Sequence, residues 1–267
     1  MMPAAGEGWR LYADAGNTAL KWAVRCGGCW AAQGRVDNAA LDCAPREVAA
    51  ALTLIGLEPE ECAGVALVSS RPAVTEAAEA ALSAATGLPV RLLGRDLHAE
   101  IKVAYADPAQ IGQDRLAAAE GALAVRGGPA IVMTLGTCIT AQALDAAGVL
   151  QGGVIAAGIE AQADGIATAV PHLCEALAEG LAMLRSGGTL PPIGRTSAQN
   201  LALGLALSLR GTADALIAAM RREVGNAPVV ATGGDVEIAV QQGLTFDRIE
   251  PLLVLEGLRV VDERDVR

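Results

Sequence analysis

Two similar glycine–threonine turns, one in each half of the chain, constrain the possible fold more than any other feature. Asp14-Ala15-Gly16-Asn17-Thr18 separates two apolar segments, and Thr134-Leu135-Gly136-Thr137 does the same further along. Each strand–turn–strand unit is followed by alternating helix and strand patterns, so the sequence predicts two similar α/β lobes. We place the lobes at residues 1–109 and 110–267 and expect a ligand cleft between them.

The periodicity of apolar residues predicts the individual elements. Predicted strands are Trp9–Ala13, Leu20–Arg25, a segment around Trp30, Gly64–Ser69, Leu88–Leu93, Ala130–Thr134, Cys138–Leu144, Val149–Ile155, Pro228–Ala231 and Ile249–Leu253. Predicted helices are Pro45–Ile55, Val74–Thr86, Asp114–Val125, Glu160–Ala169, His172–Leu184 and Ala198–Glu223.

Charge and hydropathy exclude some classes of function. The net charge is −10 and no basic block occurs, so nucleic-acid binding is not expected. The uncharged stretch 127–144 is interrupted by Gly, Thr and Gln and fits two buried strands better than a membrane span. The first residues include Glu7 and lack the apolar core of a signal peptide. We therefore expect a cytoplasmic protein without a membrane partner.

Cys26-Gly27-Gly28-Cys29 has the spacing of a metal or redox pair, but no second pair or nearby histidine accompanies it. A hairpin turn between two strands is the alternative interpretation.

The first turn, continuing to Lys21, has the residue types of a phosphate site. Gly16 allows close backbone approach to a ligand, and exposed turn amides bind phosphate oxygens. Asp14 at a strand end is suited to Mg²⁺, and Lys21 to phosphate charge. A tight β-turn with local hydrogen bonds would use the same residues, so the motif by itself leaves both interpretations open.

Gly112-Gln113-Asp114-Arg115 pairs an acid with a base at a predicted helix start. Asp114 could orient and deprotonate an alcohol while Arg115 receives an anionic group. The alternative is a helix cap with a charged neighbour.

Further glycine pairs follow the second turn: Gly152-Gly153, and Gly233-Gly234 within Thr232–Asp235. Such pairs at strand ends allow a nucleotide to lie against the backbone. The chain has neither a Walker sequence nor a GxGxxG fingerprint, which argues against P-loop and Rossmann folds.

In order and spacing, these motifs resemble the type III pantothenate kinases. The landmarks are Asp14-x-Gly16-Asn17-Thr18-x-x-Lys21, Val68-Ser69-Ser70, Tyr105 with Pro108, Gly112-x-Asp114-Arg115, Gly136-Thr137, Gly152-Gly153, the stretch Gly204 to Leu216, Thr232-Gly233-Gly234-Asp235 and Pro251 to Leu258. The resemblance covers nearly the whole chain. It implies an α/β fold of two ribonuclease-H-like, actin-like ATPase lobes with a nucleotide cleft between them.

The resemblance also implies an activity: phosphorylation of pantothenate by ATP, the first step of coenzyme A biosynthesis, in a homodimer whose interface helps to enclose pantothenate. Asp114 would be the catalytic base, and Asp14 would lie near Mg²⁺. ATP would contact Asp14, Ala15, Gly16, Asn17, Thr18, Ala19, Leu20, Lys21 and Thr137. Pantothenate would contact Tyr105, Gly112, Gln113, Asp114, Arg115 and Ser197.

The chain departs from the family pattern around the second turn. Members of the family have an acidic residue before x-Gly-Thr that helps to bind K⁺ or NH₄⁺, and Thr134 occupies that position here. Gln142 replaces a second expected acidic residue, and Ala157-Gly158 replaces the usual Pro-Gly. We expect weak or absent K⁺ dependence. Ser197 aligns with a substrate-contacting threonine, yet Thr196 and Gln199 also fit a capping box. A nucleotide-binding regulatory homologue of the same fold is the alternative function.

Overall fold

The computed structural model describes residues 8–265, which form two five-stranded sheets and eight α-helices. The strands are β1 (Trp9–Ala15), β2 (Ala19–Cys26), β3 (Cys29–Asp37), β4 (Cys62–Ser69), β5 (Val90–Leu92), β6 (Ala130–Leu135), β7 (Cys138–Leu144), β8 (Leu150–Ala157), β9 (Val229–Thr232) and β10 (Arg248–Ile249). The helices are α1 (Ala44–Ile55), α2 (Pro72–Thr86), α3 (Gln113–Arg126), α4 (Ile159–Ala169), α5 (Cys174–Arg185), α6 (Ser197–Val224), α7 (Val236–Gln241) and α8 (Leu253–Asp265).

Both sheets have the same topology. The first has the order β3-β2-β1-β4-β5 and the second, read from its other edge, β8-β7-β6-β9-β10. In each, three antiparallel strands are followed by two strands that pair in parallel. This repetition confirms the internal repeat that the two turns predict.

Local sequence signals set the helix boundaries in the first half. Helices α1 and α2 begin with a proline at the first or second position, where no intrahelical N–H is needed. They end at Gly56 and Gly87, which have φ values of 70° and 72° and close the last turn in the left-handed conformation. These boundaries lie close to the predicted ones.

The chain forms two compact units. The first contains the described residues up to Ile101, together with Ala106–Val125 and the chain from Leu252 onward; the second contains Lys102–Tyr105 and Arg126–Pro251. Helices α3 and α8 therefore belong with the first sheet, because their apolar residues pack on it. The predicted lobe boundary between residues 109 and 110 divides the chain according to its sequence repeat, whereas these two units are defined by packing. That boundary therefore stays a prediction.

Strand β1 is buried on both faces in the first unit. Trp9, Leu11 and Ala13 lie in the core beneath α1 and α2. Tyr12 faces the other way, into a smaller core formed with Ala117 of α3 and residues of α8. Because side chains alternate along a strand, Asp14 faces the same side as Tyr12, which is the side of α3.

Helix α3 is held against α8 at a close crossing. A methyl group on Gly121 would overlap the carbonyl oxygen of Leu253, and one on Gly257 would overlap that of Ala117. Arg264 adds an ion pair to the buried Glu120, at 3.0 Å. This crossing fixes α3, whose first turn carries Asp114.

The core of the second unit lies between its sheet and helices α4–α7. Among residues 8–265, α6 is the one helix long and apolar enough to cross a membrane. Its residues Ala202, Leu205 and Leu209 are buried in this core, as in the core helix of a globular domain. The stretch 127–144 forms the antiparallel pair β6–β7, as predicted.

Two element predictions were wrong. The strand predicted at Ile249–Leu253 is only the two-residue β10, and Leu253 begins α8. The apolar residues Leu258 and Val261 repeat at helical spacing and bury the helix on the first sheet. The helix predicted from His172 starts at Cys174, after a 3₁₀ turn.

Cys26 and Cys29 are the last pair of opposite residues in the β2–β3 hairpin, and both are free thiols. Gly27 and Gly28 between them have positive φ, so the hairpin interpretation is confirmed. The expectation about the start of the chain, around Glu7, lies outside the described residues.

Candidate functional site

The first turn joins β1 to β2. The pairing of Asp14 with Lys21 and of Ala15 with Leu20 brings the strands together, and the Gly16 N–H donates to the Ala19 carbonyl at 3.1 Å. Of the predicted turn Asp14–Thr18, only residues 16–18 lie between the strands, because Asp14 and Ala15 are the last two residues of β1. Asn17 and Thr18 are exposed, so the tip of the turn faces solvent.

Two side chains outside the predicted motif hold this turn. The Asn38 Nδ2 donates to the carbonyls of Gly16 and Asn17, both at 3.0 Å. The Arg71 Nη1 also donates to the Asn17 carbonyl, at 2.8 Å. Neither residue was predicted from the sequence. Their only local signals are a polar residue after a strand and a basic residue before a helix, which are common on protein surfaces.

Asp14 lies at the end of β1 with one carboxylate oxygen enclosed. Within residues 8–265, the buried Oδ1 has no hydrogen-bond donor. Burial, opposed by the positive charge of Lys21 and assisted by the negative charge of Asp114, raises the pKa of Asp14 to about 6. A carboxylate kept in such a place without a donor has the character of a cation ligand.

Asp114 lies in the first turn of α3. Burial raises its pKa, and this outweighs the backbone hydrogen bond and the positive charge of Arg115, which lower it. Helix α3 packs on the face of β1 that carries Tyr12 and Asp14, so the fold places the two predicted acids on the same side of the first sheet, although a hundred residues separate them in the chain. The negative charge of Asp114 contributes to the raised pKa of Asp14. Two neighbouring acidic residues with raised pKa values are common in active sites.

The predicted site residues divide between the two units. Asp14–Lys21 and Gly112–Arg115 belong to the first, while Tyr105, Thr134, Thr137 and Ser197 belong to the second. Tyr105 is half-buried in a segment that pairs with the start of β8 through Val103 and Leu150.

Two neighbouring loops pack tightly around the second turn. Gly158 donates its N–H to the Thr137 carbonyl at 2.9 Å, and a methyl group on Gly158 would overlap the Gly136 carbonyl oxygen. Asp235 donates its N–H to the Leu135 carbonyl at 3.1 Å, and Gly233, with φ of 111°, approaches the same residue. The glycine after Ala157 and the Gly233-Gly234 pair thus shape the turn that carries Thr137.

The expected position of the monovalent-cation ligand lies in a row of hydroxyl side chains. Thr134 on β6 pairs with Thr140 on β7 and with Thr232 on β9, so the three side chains lie on one face of the sheet. The Thr232 hydroxyl donates to the Pro251 carbonyl at 3.4 Å. Gln142 is fully buried on the same strand as Thr140. Three hydroxyl side chains therefore line the sheet at the expected cation position.

Ser197 is the first residue of α6 and is exposed. The preceding Thr196 accepts the Gln199 N–H at 3.2 Å, and the Gln199 side chain accepts the Arg195 N–H at 2.8 Å. Thr196 therefore caps the helix, as one of the two interpretations predicted. The cap does not test the substrate role of Ser197.

The donor set of the first unit fits a divalent cation that is held mainly by phosphate groups. Within residues 8–265, no three His, Cys, Asp or Glu residues come together as a complete metal cage. Mg²⁺ usually takes one or two protein carboxylates, with water and phosphate oxygens completing its shell. The enclosed oxygen of Asp14, beside a turn suited to phosphate, matches that requirement.

Repeated sheets of this topology, each opening with a glycine–threonine turn, define the α/β fold of the actin-like ATPases and sugar kinases. The family model for type III pantothenate kinase matches residues 10–219. The chain belongs to the type III pantothenate kinase family.

Individual relatives agree with this assignment. The type III pantothenate kinase of Frankia alni is 33% identical over 208 residues, covering 76% of this chain and 79% of the relative. The enzyme of Moorella thermoacetica is 32% identical, covering 79% and 80%. That of Streptomyces avermitilis is 30% identical, covering 97% and 90%.

Solved structures of low sequence identity share the fold. The activator of 2-hydroxyisocaproyl-CoA dehydratase from Clostridium difficile, solved with bound ADPNP, has a TM-score of 0.56 at 14% identity, covering 97% of this chain and 96% of the activator. Component A of (R)-2-hydroxyglutaryl-CoA dehydratase from Acidaminococcus fermentans has a TM-score of 0.58 at 16% identity, covering 97% and 99%.

Proposed function

We infer that the chain transfers the γ-phosphoryl group of ATP to the primary alcohol of pantothenate, giving 4'-phosphopantothenate and ADP. Family membership over most of the chain supports the reaction. The observation that carries the assignment of residues is the packing of α3, which has Asp114 in its first turn, on the face of β1 that carries Asp14 at the start of the first turn. One acid suits the acceptor alcohol and the other suits the phosphate side.

Asp114 is proposed as the general base. The alcohol oxygen attacks the γ-phosphorus, the bond from this phosphorus to the bridging oxygen of ADP breaks, and the alcohol proton passes to Asp114. A carboxylate of ordinary pKa is a weak base at neutral pH, and burial raises the pKa of Asp114 toward the working range. Its place in the first turn of a packed helix restricts its position, which matters more than basicity in this chemistry.

The first turn is proposed to bind the phosphates. Asn17 and Thr18, whose backbone N–H groups would bind the phosphates, are at its exposed tip, and Lys21 would supply positive charge from the neighbouring strand. Asp14 is proposed to hold Mg²⁺ directly or through water. When bound, Mg²⁺ would neutralise charge on the phosphate oxygens.

The remaining family-implied contacts are also proposals. Thr137 on the second turn would contact ATP, and Tyr105, Arg115 and Ser197 would contact pantothenate. Retention of these residues with Asp14 and Asp114 favours an active enzyme over the regulatory alternative, because a protein without catalysis would not need the acids.

A direct test is ADP release with ATP and Mg²⁺, with and without pantothenate. We expect release to depend on pantothenate and to fall by about a hundredfold or more in Asp114→Asn, while ATP binding changes little. Asp107→Asn is a matched control, because Asp107 caps the neighbouring 3₁₀ turn and asparagine also caps. No release by the folded wild-type protein would favour the regulatory homologue, and near-normal turnover in Asp114→Asn would refute the role of Asp114.

We further propose a cytoplasmic homodimer whose partner subunit helps to enclose pantothenate. Light scattering after size exclusion measures the mass, and a variant that is monomeric should show weaker pantothenate binding. For the cation, we propose that the Thr134 hydroxyl cannot replace the usual carboxylate, so that activity depends weakly on K⁺ or NH₄⁺.

A further inference from the structure

The first turn does not hold its shape through its own hydrogen bonds alone. The β2–β3 pairing places Asp37 opposite Ala19, so the next residue, Asn38, comes alongside the turn. Its backbone N–H donates to the Thr18 carbonyl at 2.9 Å, while its side chain spans the carbonyls of Gly16 and Asn17. Three consecutive carbonyls of the turn therefore accept hydrogen bonds from one residue, which directly follows β3.

Arg71 approaches the same turn from the opposite neighbour in the sheet. It follows β4, which pairs in parallel with β1, and its guanidinium donates to the Asn17 carbonyl at 2.8 Å. The preceding Ser70 donates its N–H to the Ala15 carbonyl at 3.2 Å, which ties the end of β4 to the start of the turn. Donors from both sides of β1–β2 thus converge on the turn carbonyls.

These contacts determine where the turn amides point. In a planar trans peptide the carbonyl and the N–H point in opposite directions. A carbonyl of Gly16 held by Asn38 therefore directs the Asn17 N–H away from Asn38. In the same way, the Asn17 carbonyl held by Asn38 and Arg71 directs the Thr18 N–H away from both side chains.

We propose that Asn38 and Arg71 are positioning residues that orient the Asn17 and Thr18 amides toward the phosphates of ATP. The proposal rests on the proposed function of the turn as the phosphate site. Neither residue needs to touch ATP. Preorganised donors bind without a cost of reorganisation, so loss of the clamp should weaken nucleotide binding more than pantothenate binding.

The test compares Asn38→Ala, Arg71→Ala and Thr86→Val with the wild type. Thr86→Val is the matched structural control: the Thr86 hydroxyl is buried and bonds backbone groups of Leu82 and Leu88 in the same unit. It lies at the far end of α2 from Arg71, about 20 Å along the helix. The Kd for ATP with Mg²⁺ is measured without pantothenate, and the KM for each substrate and the Tm are measured separately.

We expect Asn38→Ala to raise the Kd and the KM for ATP by about tenfold, because it removes two side-chain hydrogen bonds that orient the donors. The KM for pantothenate should change less than twofold, and kcat at saturating ATP should largely recover. Arg71→Ala, at an exposed position, should show a smaller effect of the same kind. Thr86→Val should lower the Tm without changing either KM.

Unchanged ATP binding in both Asn38→Ala and Arg71→Ala would overturn the proposal. So would an effect on ATP that Thr86→Val reproduces at an equal loss of Tm. Because ATP binding is measured without pantothenate, a wild-type protein that binds ATP yet does not phosphorylate pantothenate would refute the kinase function and still allow the clamp to be tested.

Discussion

Replacing Asp14 by asparagine removes a carboxylate that the folded protein holds at an unfavourable site. The side chain is half-buried, its Oδ1 is enclosed, and no donor within residues 8–265 reaches that oxygen. Burial raises the pKa from 3.8 to about 6, against the attraction of Lys21. Asparagine has nearly the same shape and carries no charge, so the substitution tests the electrostatic cost directly.

The sign of the effect follows from proton linkage. The folded state binds the proton of Asp14 more tightly than the unfolded state, so the wild-type protein loses stability as the pH rises from about 4 through 6. A difference of about two pKa units corresponds to about 3 kcal/mol of unfolding free energy above pH 7. Asp14→Asn should therefore be more stable than wild type by about 2 to 3 kcal/mol at pH 8, and by roughly half of that at pH 5.

Urea unfolding followed by tryptophan fluorescence measures the free energy of unfolding of the first unit, because Trp9, Trp22 and Trp30 all lie in that unit together with Asp14. Asp96→Asn is the matched control. Its pKa is lowered, mainly by a hydrogen bond from Arg95, so that variant should gain no stability at pH 8. The same Asp14→Asn variant should lose phosphoryl transfer, and wild-type kcat/KM for ATP should fall below about pH 6 as Asp14 takes up a proton.

Equal stability of Asp14→Asn and wild type at pH 8 would refute this interpretation of the site. A gain in stability that stays constant between pH 5 and pH 8 would refute it equally, because titration of a carboxylate requires a pH dependence. Loss of activity alone would not separate an electrostatic cost from a simple structural defect, and for that reason the stability measurement comes first.

Two further predictions concern the acceptor side and the cation. In Gly112→Ala the new methyl carbon would lie 2.5 Å from Asp114 Oδ1, so the carboxylate must move. We expect kcat to fall by about tenfold to a hundredfold while the affinity for ATP stays unchanged. A wild-type kcat in steady-state kinetics would contradict this prediction. Thr134→Asp should be activated by K⁺ more strongly than the wild type, measured as ADP release with and without KCl. Equal activation of both proteins would show that the hydroxyl suffices.

Local patterns predicted most of the elements and both turns. The strand predicted at Trp9–Ala13 and the helix predicted at Val74–Thr86 are observed with small extensions, because side-chain periodicity, proline and glycine act within a few residues of the chain. The repetition of the glycine–threonine turn in both halves of the chain correctly predicted two sheets with the same topology. The C-terminal helix from Leu253 was missed, because its short apolar beginning also fits a strand.

The family motifs were visible in the sequence, but their spatial grouping was not. Asp14 and Asp114 come near each other only because α3 packs on the face of β1 that Tyr12 and Asp14 share, held by the close crossing of Gly121 with α8. Asn38 and Arg71 reach the first turn through strand pairing with β2 and β1. Contacts between residues distant in the chain depend on sheet register and helix packing, which no local pattern of residues encodes. The sequence alone therefore determined the elements, the repeat and the family, while the tertiary structure decided which side chains surround the phosphate-binding turn.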